Sequence, residues 1–353
     1  INHFMKICIM VCANGLGHIR RVLAILNYLF YTKPDKVSHH TFKIYFPVER
    51  LNYLKNWDDY KFISTHKNVD FINYSYPINY KVDSLGDKLW YNINLEDFIE
   101  CDFVWSDNIT QVLDLNVKSI ITGSFFWYEV LESLVDSDKV KRFAESQRNL
   151  LKEKKPIMIG NEYFSTADVR ELTNFYPVGF YKYNISENSF SNKSDILLSA
   201  GLGGESVRDC SLAVQKIIDQ NLKPPRTLWL EPKIYKKNFP EWIKPATYSS
   251  DMFNKCYVAC IRPGIGTISD SLLGGNYIIS FSDSPEMYHN SSIILKNGFG
   301  ENSESPFEAY IRANEVFYDK RILDIARIKT AHLRSDGVSG SAEIIWELIS
   351  NKK

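Results

Sequence analysis

Between Met5 and Leu29 an apolar run, Ile7 to Cys12, breaks at Asn14-Gly15-Leu16-Gly17-His18 and restarts at once as Ile19-Arg20-Arg21-Val22-Leu23-Ala24-Ile25-Leu26. The pattern predicts a buried strand, a two-glycine turn and an immediate helix, the repeating unit of a parallel sheet flanked by helices. Glycine at 15 and 17 lets the backbone turn tightly and lets a ligand approach closely. The helix N-terminus beyond them offers unpaired amide hydrogens and partial positive charge. His18, in its first turn, is placed to move a proton. A second glycine loop, built differently, follows far downstream at Gly264 and Gly266.

The same alternation runs through the chain. In the first half, strands are expected at Lys6–Cys12, Thr41–Phe46, Phe71–Tyr74, Phe103–Ser106, Ser119–Thr122 and Ile157–Ile159. Helices are expected over Ile19–Tyr31, Glu49–Trp57, Leu95–Glu100, Thr110–Asp114 and Asp138–Lys154. The polar and aromatic stretch from Tyr74 to Asn94 reads as a long loop or short helices. Tyr176-Pro177-Val178-Gly179 reads as a crossing between domains, and the Asn- and Ser-rich run at 184–194 as a linker. The second half predicts strand Asp195–Ala200, a glycine loop, helix Val207–Asn221 and strand Arg226–Leu230. Strand Tyr257–Ile261, another glycine loop, helix Ile268–Gly274, strand Tyr277–Ser280 and helix Ser291–Asn297 follow. Two doubly wound, Rossmann-like α/β domains facing across a cleft are therefore expected, at 5–178 and 195–353 with a linker at 179–194. The amphipathic last helix, Ser341–Lys353, is free to pack back on the first domain.

Composition narrows the function classes. Lysine plus arginine and aspartate plus glutamate stand at 42 each in 353 residues, so no global charge draws the chain to nucleic acid or acidic membranes. No apolar stretch approaches the ~20 residues of a membrane span, and nothing resembles a cleavable leader, Met5 being read as the natural start. The six cysteines (8, 12, 101, 210, 256, 260) form no C-x-x-C pair and read as buried reduced thiols of a cytosolic protein rather than metal ligands. The single D-x-D, Asp136-Ser137-Asp138, opens a helix instead of ending a strand, and no metal site is expected.

Besides the turn at 14–18, four places carry candidate chemistry. In Arg262-Pro263-Gly264-Ile265-Gly266-Thr267-Ile268-Ser269-Asp270, backbone amides and the Thr267 hydroxyl can hold a diphosphate, Asp270 a ribose diol, and Arg262 can offset phosphate charge. The alternative is a tight turn with Thr267 capping the helix. Gly201, Gly203 and Gly204, after the strand ending at Ala200, allow a second close approach to phosphate. Asp107, after Phe103-Val104-Trp105-Ser106, either orients the His18 imidazole or caps the next helix. Glu129 is a second carboxylate on that side, and Phe125-Phe126-Trp127-Tyr128 before it either stack a sugar ring or fill the core.

The segment Arg262–Leu273, followed by Asp283-Ser284-Pro285-Glu286-Met287-Tyr288-His289-Asn290 and Asn297-Gly298-Phe299-Gly300, resembles the donor-binding half of the GT-B glycosyltransferases. It is most similar to the group of the bacterial transferase that adds N-acetylglucosamine to lipid II. The loop Gly15-Leu16-Gly17-His18-Ile19-Arg20-Arg21 resembles both the acceptor-side loop of GT-B enzymes and the Gly-x-Gly-His-x-x-Arg loop of the nucleotide-sugar hydrolase of the pseudaminic acid pathway.

The resemblance implies a diphosphate beside Gly264 and Thr267, with Asp270 where the family usually has glutamate. It places Glu286 and Met287 in the polar pair that reads the donor sugar, Met287 departing from the usual residue. His18 becomes the general base, aided by Asp107, and Asn14, Gly15, Gly17, Arg21 and Glu129 line the acceptor side. The implied activity is metal-independent, cofactor-free transfer of a sugar from a nucleoside-diphosphate donor, a UDP-sugar first, to an acceptor hydroxyl in bacterial surface glycan synthesis. The acceptor would be a glycan or a lipid-linked molecule, with no nucleic-acid partner. The enzyme would be cytoplasmic, with peripheral contact at the inner membrane face as the one membrane association. Two alternatives share the fold: a hydrolase with water as acceptor, and a non-catalytic nucleotide-sugar or glycan-binding protein.

Overall fold

The computed structural model describes residues 4–76, 95–98, 100–182, 193–201 and 204–351. They form two compact units, one comprising the chain up to Gly179 together with Asp336 onward, the other Phe180–Ser335. Residues 77–94 of the loop expected from Tyr74 to Asn94, and most of the expected linker, lie outside the described residues.

The first unit is a parallel sheet of β1 (Lys6–Val11), β2 (Thr41–Phe46), β3 (Val69–Asn73), β4 (Phe103–Asp107), β5 (Lys118–Thr122), β6 (Ile157–Asn161) and β7 (Asn174–Val178), in the order β3-β2-β1-β4-β5-β6-β7. Its helices are α1 (Gly17–Thr32), α2 (Pro34–Val37), α3 (Asp58–Ser64), α4 (Trp127–Glu132), α5 (Asp138–Lys154) and α6 (Ala167–Leu172). The second unit is a parallel sheet of β8 (Asp195–Ser199), β9 (Leu228–Leu230), β10 (Ile243–Pro245), β11 (Cys256–Ile261), β12 (Tyr277–Ser280) and β13 (Gly300–Asn302), in the order β10-β9-β8-β11-β12-β13. It carries α7 (Gly204–Asp219), α8 (Ser250–Lys255), α9 (Ile265–Leu273), α10 (Pro285–Asn297), α11 (Pro306–Tyr318) and α12 (Lys320–Thr330). The closing helix, α13 (Gly337–Ser350), belongs to the first unit.

The central strands are buried and apolar in their middles, with polar residues only at their ends (Ser106 and Asp107 in β4, Asp195 and Ser199 in β8), because helices cover both faces of the sheet. Every residue of β4, β8 and β11 is buried, as are all of β1 beyond Lys6. In each sheet the strand order reverses once, between β1 and β4 and between β8 and β11. At such a reversal neighbouring loops part in opposite directions, opening a crevice at the carboxyl ends of the strands.

Several expectations need correction. Residues 174–178 form the edge strand β7, where Pro177 is tolerated because one side of an edge strand has no ladder to complete. The Glu49–Trp57 and Leu95–Glu100 helices are 3-10 turns, at Val48–Leu54 and Leu95–Phe98. Cys8 and Cys101 are joined in a disulfide with Cα atoms 6.0 Å apart, so these two are not reduced thiols. Cys12, Cys210, Cys256 and Cys260 are free and buried.

Contacts within the first unit hold α13 in place. Lys33 Nζ donates to Glu343 at 2.9 Å, Lys118 Nζ donates to the Leu348 carbonyl at 2.6 Å, and the His40 and Trp346 rings lie 5.7 Å apart. Where the chain leaves and returns, the Gly179 amide donates to Asp336 Oδ1 at 2.8 Å. Among the described residues no helix is long and apolar enough to cross a membrane.

Candidate active site

The turn after β1 delivers a histidine into a polar cluster. Gly15 has φ +76°, which an L-residue with a side chain adopts only at a cost, and α1 starts two residues later with no side-chain cap. The amides of Gly17, His18 and Ile19 accordingly have no backbone partner among the described residues. One turn of α1 places His18 and Arg21 together on its inner face, 7% and 5% exposed.

Asp107 meets both of them. It ends β4, paired with Val11 of β1, and is fully buried. Its Oδ1 lies 2.7 Å from His18 Nδ1 and accepts from Arg21 Nη2 at 2.6 Å, while Oδ2 accepts from Arg21 Nε at 2.8 Å and Thr122 Oγ1 at 2.7 Å. Trp105 Nε1 donates to Thr122 Oγ1 at 2.9 Å, fixing that hydroxyl's direction. Burial alone would raise the Asp107 pKa, but the Arg21 guanidinium and the hydrogen bond to His18 overcome it and hold the carboxyl at about 2. A carboxylate only accepts, so Nδ1 of His18 carries a proton, and in the neutral form of the ring the lone pair is on Nε2. Nε2 has no hydrogen-bond partner among the described residues.

Asp107 caps no helix. The 3-10 turn Thr110–Asp114 begins beyond it, and Ser106 Oγ takes the Ile109 amide instead. Glu129 serves α4: its Oε2 accepts from the Phe126 amide at 2.8 Å and from Thr166 Oγ1 at 2.9 Å. Burial pushes its pKa up to about 7 against the pull of those hydrogen bonds. Phe125, Phe126, Trp127 and Tyr128 are buried side chains of the core, Trp127 with its ring 6.2 Å from that of His18. Asn14, Gly15 and Gly17 line the turn and are at least partly exposed.

In the second unit the candidate loop presents backbone groups. After β11 the loop is pinned by the Arg262 amide on the Ser199 carbonyl at 2.9 Å and by Asn290 Nδ2 on the Pro263 carbonyl at 2.8 Å. α9 begins at Ile265 with Gly264 as its uncapped N-terminal residue, so the amides of Ile265, Gly266 and Thr267 have no backbone partner among the described residues. Helix α10 also begins without a side-chain cap, after Ser284. A Cβ at Gly264 would touch nothing within 4 Å.

Three expected residues are placed as follows. Thr267 is the third residue of α9, not its cap, because the helix starts two residues earlier. Arg262 is already paired, its Nε donating to Asp283 Oδ1 at 2.7 Å. Met287 is 2% exposed, so its apolar side chain belongs to the interior and not to a sugar-reading surface. Asp270 and Glu286 are partly exposed, on α9 and in the first turn of α10. Gly201 has φ +59°, Gly204 opens α7, and Gly203 lies outside the described residues.

No protein-family model matches the chain, and no curated protein matches it. Solved structures do. A UDP-glucose: anthocyanidin 3-O-glucosyltransferase in complex with UDP superposes with a TM-score of 0.66 at 13% identity, covering 98% of this chain and 100% of that one. The calicheamicin glycosyltransferase CalG4 gives 0.62 at 12% identity, covering 98% of both chains. UGT89C1 of Arabidopsis thaliana, complexed with UDP-L-rhamnose, gives 0.59 at 13% identity, covering 98% and 99%. The fold is GT-B.

Within this GT-B chain the structure joins His18, Arg21 and Asp107, and gathers Gly264, Gly266 and Thr267 at one helix start. Glu129 has its own partners, Phe126 and Thr166. Two participants escaped the sequence reading. Thr122 showed no pattern beyond a strand end, and Asp283, although its loop was noted, carried no mark of its pairing with Arg262, 21 residues away. Among the described residues no group of three or more His, Cys, Asp or Glu side chains is arranged to hold a metal ion.

Proposed function

We propose that the chain is a glycosyltransferase moving a sugar from a nucleoside-diphosphate donor, a UDP-sugar first, to an acceptor hydroxyl. The observation that carries the reading is the buried His18–Asp107 pair at the strand-order reversal of the first sheet. Asp107 fixes Nδ1 as the protonated nitrogen, so Nε2 is the atom that accepts a proton. In the reaction, the acceptor oxygen forms a bond to the anomeric carbon while Nε2 takes the hydroxyl proton. The bond from that carbon to the diphosphate breaks, and its electron pair leaves with the nucleoside diphosphate. The open amides of Ile265, Gly266 and Thr267, with Arg262, stabilise the charge that grows on the leaving group. Asp270 and Glu286 are assigned to the donor's ribose and sugar hydroxyls. Two of the similar structures are named as complexes with UDP or a UDP-sugar, which supports the donor class.

A hydrolase is the second reading, favoured by Arg21, whose grip on Asp107 gives the Gly-x-Gly-His-x-x-Arg loop a structural purpose. Water then replaces the acceptor hydroxyl. The lipid II-type acceptor, bacterial surface glycans and metal independence belong to the proposal on the strength of the sequence resemblance alone.

The test is a thermal shift across nucleosides, nucleoside diphosphates and nucleotide sugars, since a ligand bound only by the folded state raises its melting point. Stabilisation by one nucleoside-diphosphate family supports the reading, and no shift at saturation sinks it. Donor consumption that requires an added acceptor identifies a transferase; consumption in water alone identifies a hydrolase.

A further inference from the structure

Arg262 lies beside the open amides of α9, where a phosphate would sit on the reading above, yet it is engaged in an ion pair. How that pair is made decides its meaning. Asp283 Oδ1 takes the Arg262 Nε hydrogen at 2.7 Å, and Ser284 Oγ lies 3.4 Å from Nη2. Nη1 has no hydrogen-bond partner among the described residues. The carboxylate therefore holds the guanidinium by its inner nitrogen; at the outer edge of the fork Nη2 donates to Ser284 Oγ, and Nη1 is the nitrogen left open among the described residues. A guanidinium binds phosphate best through that planar edge, provided something fixes the plane.

The other carboxylate oxygen reaches a different loop. Ser206 Oγ, in the first turn of α7, donates to Asp283 Oδ2 at 2.5 Å. One side chain after β12 thus fastens the start of α7 to the loop before α9, and it stands just before α10. The Arg262 and Asp283 side chains are 21% and 14% exposed, so solvent screens the pair only in part.

We infer that Asp283 is a positioning residue of the donor site, setting the Arg262 guanidinium through Nε so that its outer nitrogens meet a phosphate. The inference rests on the reading that the second unit binds a nucleoside diphosphate. Asp283 touches no phosphate itself; it acts through Arg262 and, by way of Ser206, keeps the two helix starts in register.

The experiment is calorimetric titration of the full chain with inorganic pyrophosphate, on wild type, Asp283→Asn, Arg262→Ala and the double variant. A charge-assisted hydrogen bond corresponds to roughly tenfold or more in affinity. Asp283→Asn and Arg262→Ala are each expected to weaken pyrophosphate by about that factor. The double variant should be little worse than Arg262→Ala, because a residue acting through a second adds nothing once the second is gone. Fully additive losses, or an Asp283→Asn affinity equal to or above that of wild type, overturn the inference. Failure of wild type to bind pyrophosphate and every nucleoside diphosphate overturns the donor-site reading and the inference with it. Arg262→Lys keeps the charge but has no Nε for Asp283 to hold, so it guards against an Asp283→Asn chain that does not fold. It should lose as much as Arg262→Ala, and wild-type affinity in Arg262→Lys also overturns the inference.

Discussion

The strand-order reversals of the two sheets occupy equivalent places in the topology and are furnished in contrasting ways. Between β1 and β4 the turn buries charge: His18, Arg21 and Asp107 are 7%, 5% and 0% exposed and satisfy one another. Between β8 and β11 the turn leaves the first amides of α9 open, and its ion pair, Arg262 with Asp283, keeps side-chain exposures of 21% and 14%. One site is organised around side-chain protons, the other around backbone dipoles. The fold determines where ligands gather, and the residues determine the chemistry done there.

The contrast breaks most decisively at His18. On the proposed mechanism His18→Ala removes the base and should lower turnover by about 10²–10⁴-fold. Nucleoside-diphosphate affinity, which the proposal assigns to the second unit, should stay within about twofold of wild type by calorimetry. Equal losses of turnover and donor affinity would show that the two sites do not divide the work this way.

Stability separates the two ion pairs next. Asp107→Asn removes the buried carboxylate that Arg21 and His18 share, which costs about 3–5 kcal/mol, a melting-point drop on the order of 10 °C. Asp283→Asn, at a partly solvated pair, should cost about 1 kcal/mol. Equal melting-point losses would mean that burial does not distinguish these carboxylates.

The glycines sharpen the comparison by a smaller margin. Neither Gly17 nor Gly264 would bring a Cβ within 4 Å of anything, and neither has positive φ. Alanine at either place should shift the melting point by less than about 2 °C. Gly264→Ala should nevertheless weaken a nucleoside diphosphate several-fold if the ligand closes on that backbone. An alanine variant that binds normally shows that the glycine serves no ligand.

The two sites were unequally legible in the sequence. Strand, glycine turn and helix start are local signals, so the loops at 14–18 and 262–267 stood out, and Thr41–Phe46, Tyr277–Ser280 and Asp138–Lys154 are found at the expected bounds. Non-local pairing was much less visible. Asp107 meets His18 across 89 positions only because β1 and β4 are neighbours, and a one-chain reading could equally make it a helix cap. The spacing of Arg21 three residues from His18, on a helix face otherwise apolar, was a usable sign of a buried polar cluster. Ser305-Pro306-Phe307-Glu308 was a missed one, since Ser305 caps α11 by accepting the Glu308 amide. Thr267 looked like a cap because the apolar periodicity begins at Ile268, but backbone geometry starts the helix at Ile265.

Two carboxyls of the first unit answer to pH with opposite signs. Asp107 is held at about 2, below the ordinary 3.8, so its contribution to stability is complete above the ordinary range and is lost as pH falls towards 2. Glu129 has the opposite sign. Burial raises it from 4.5 to about 7, so between those values the folded chain keeps a proton that the unfolded chain has released. Bound protons favour the state that holds more of them, and stability attributable to Glu129 therefore declines as pH rises from about 4.5 to about 7. Glu129→Gln removes the titration while its amide oxygen can still accept from the Phe126 amide and Thr166 Oγ1. The melting point of the variant relative to wild type should climb by a few degrees across that window and level off above it. A difference that stays constant from acid to neutral pH would mean that Glu129 titrates alike in the folded and unfolded chain, and its place at the start of α4 would be that of an ordinary charged cap.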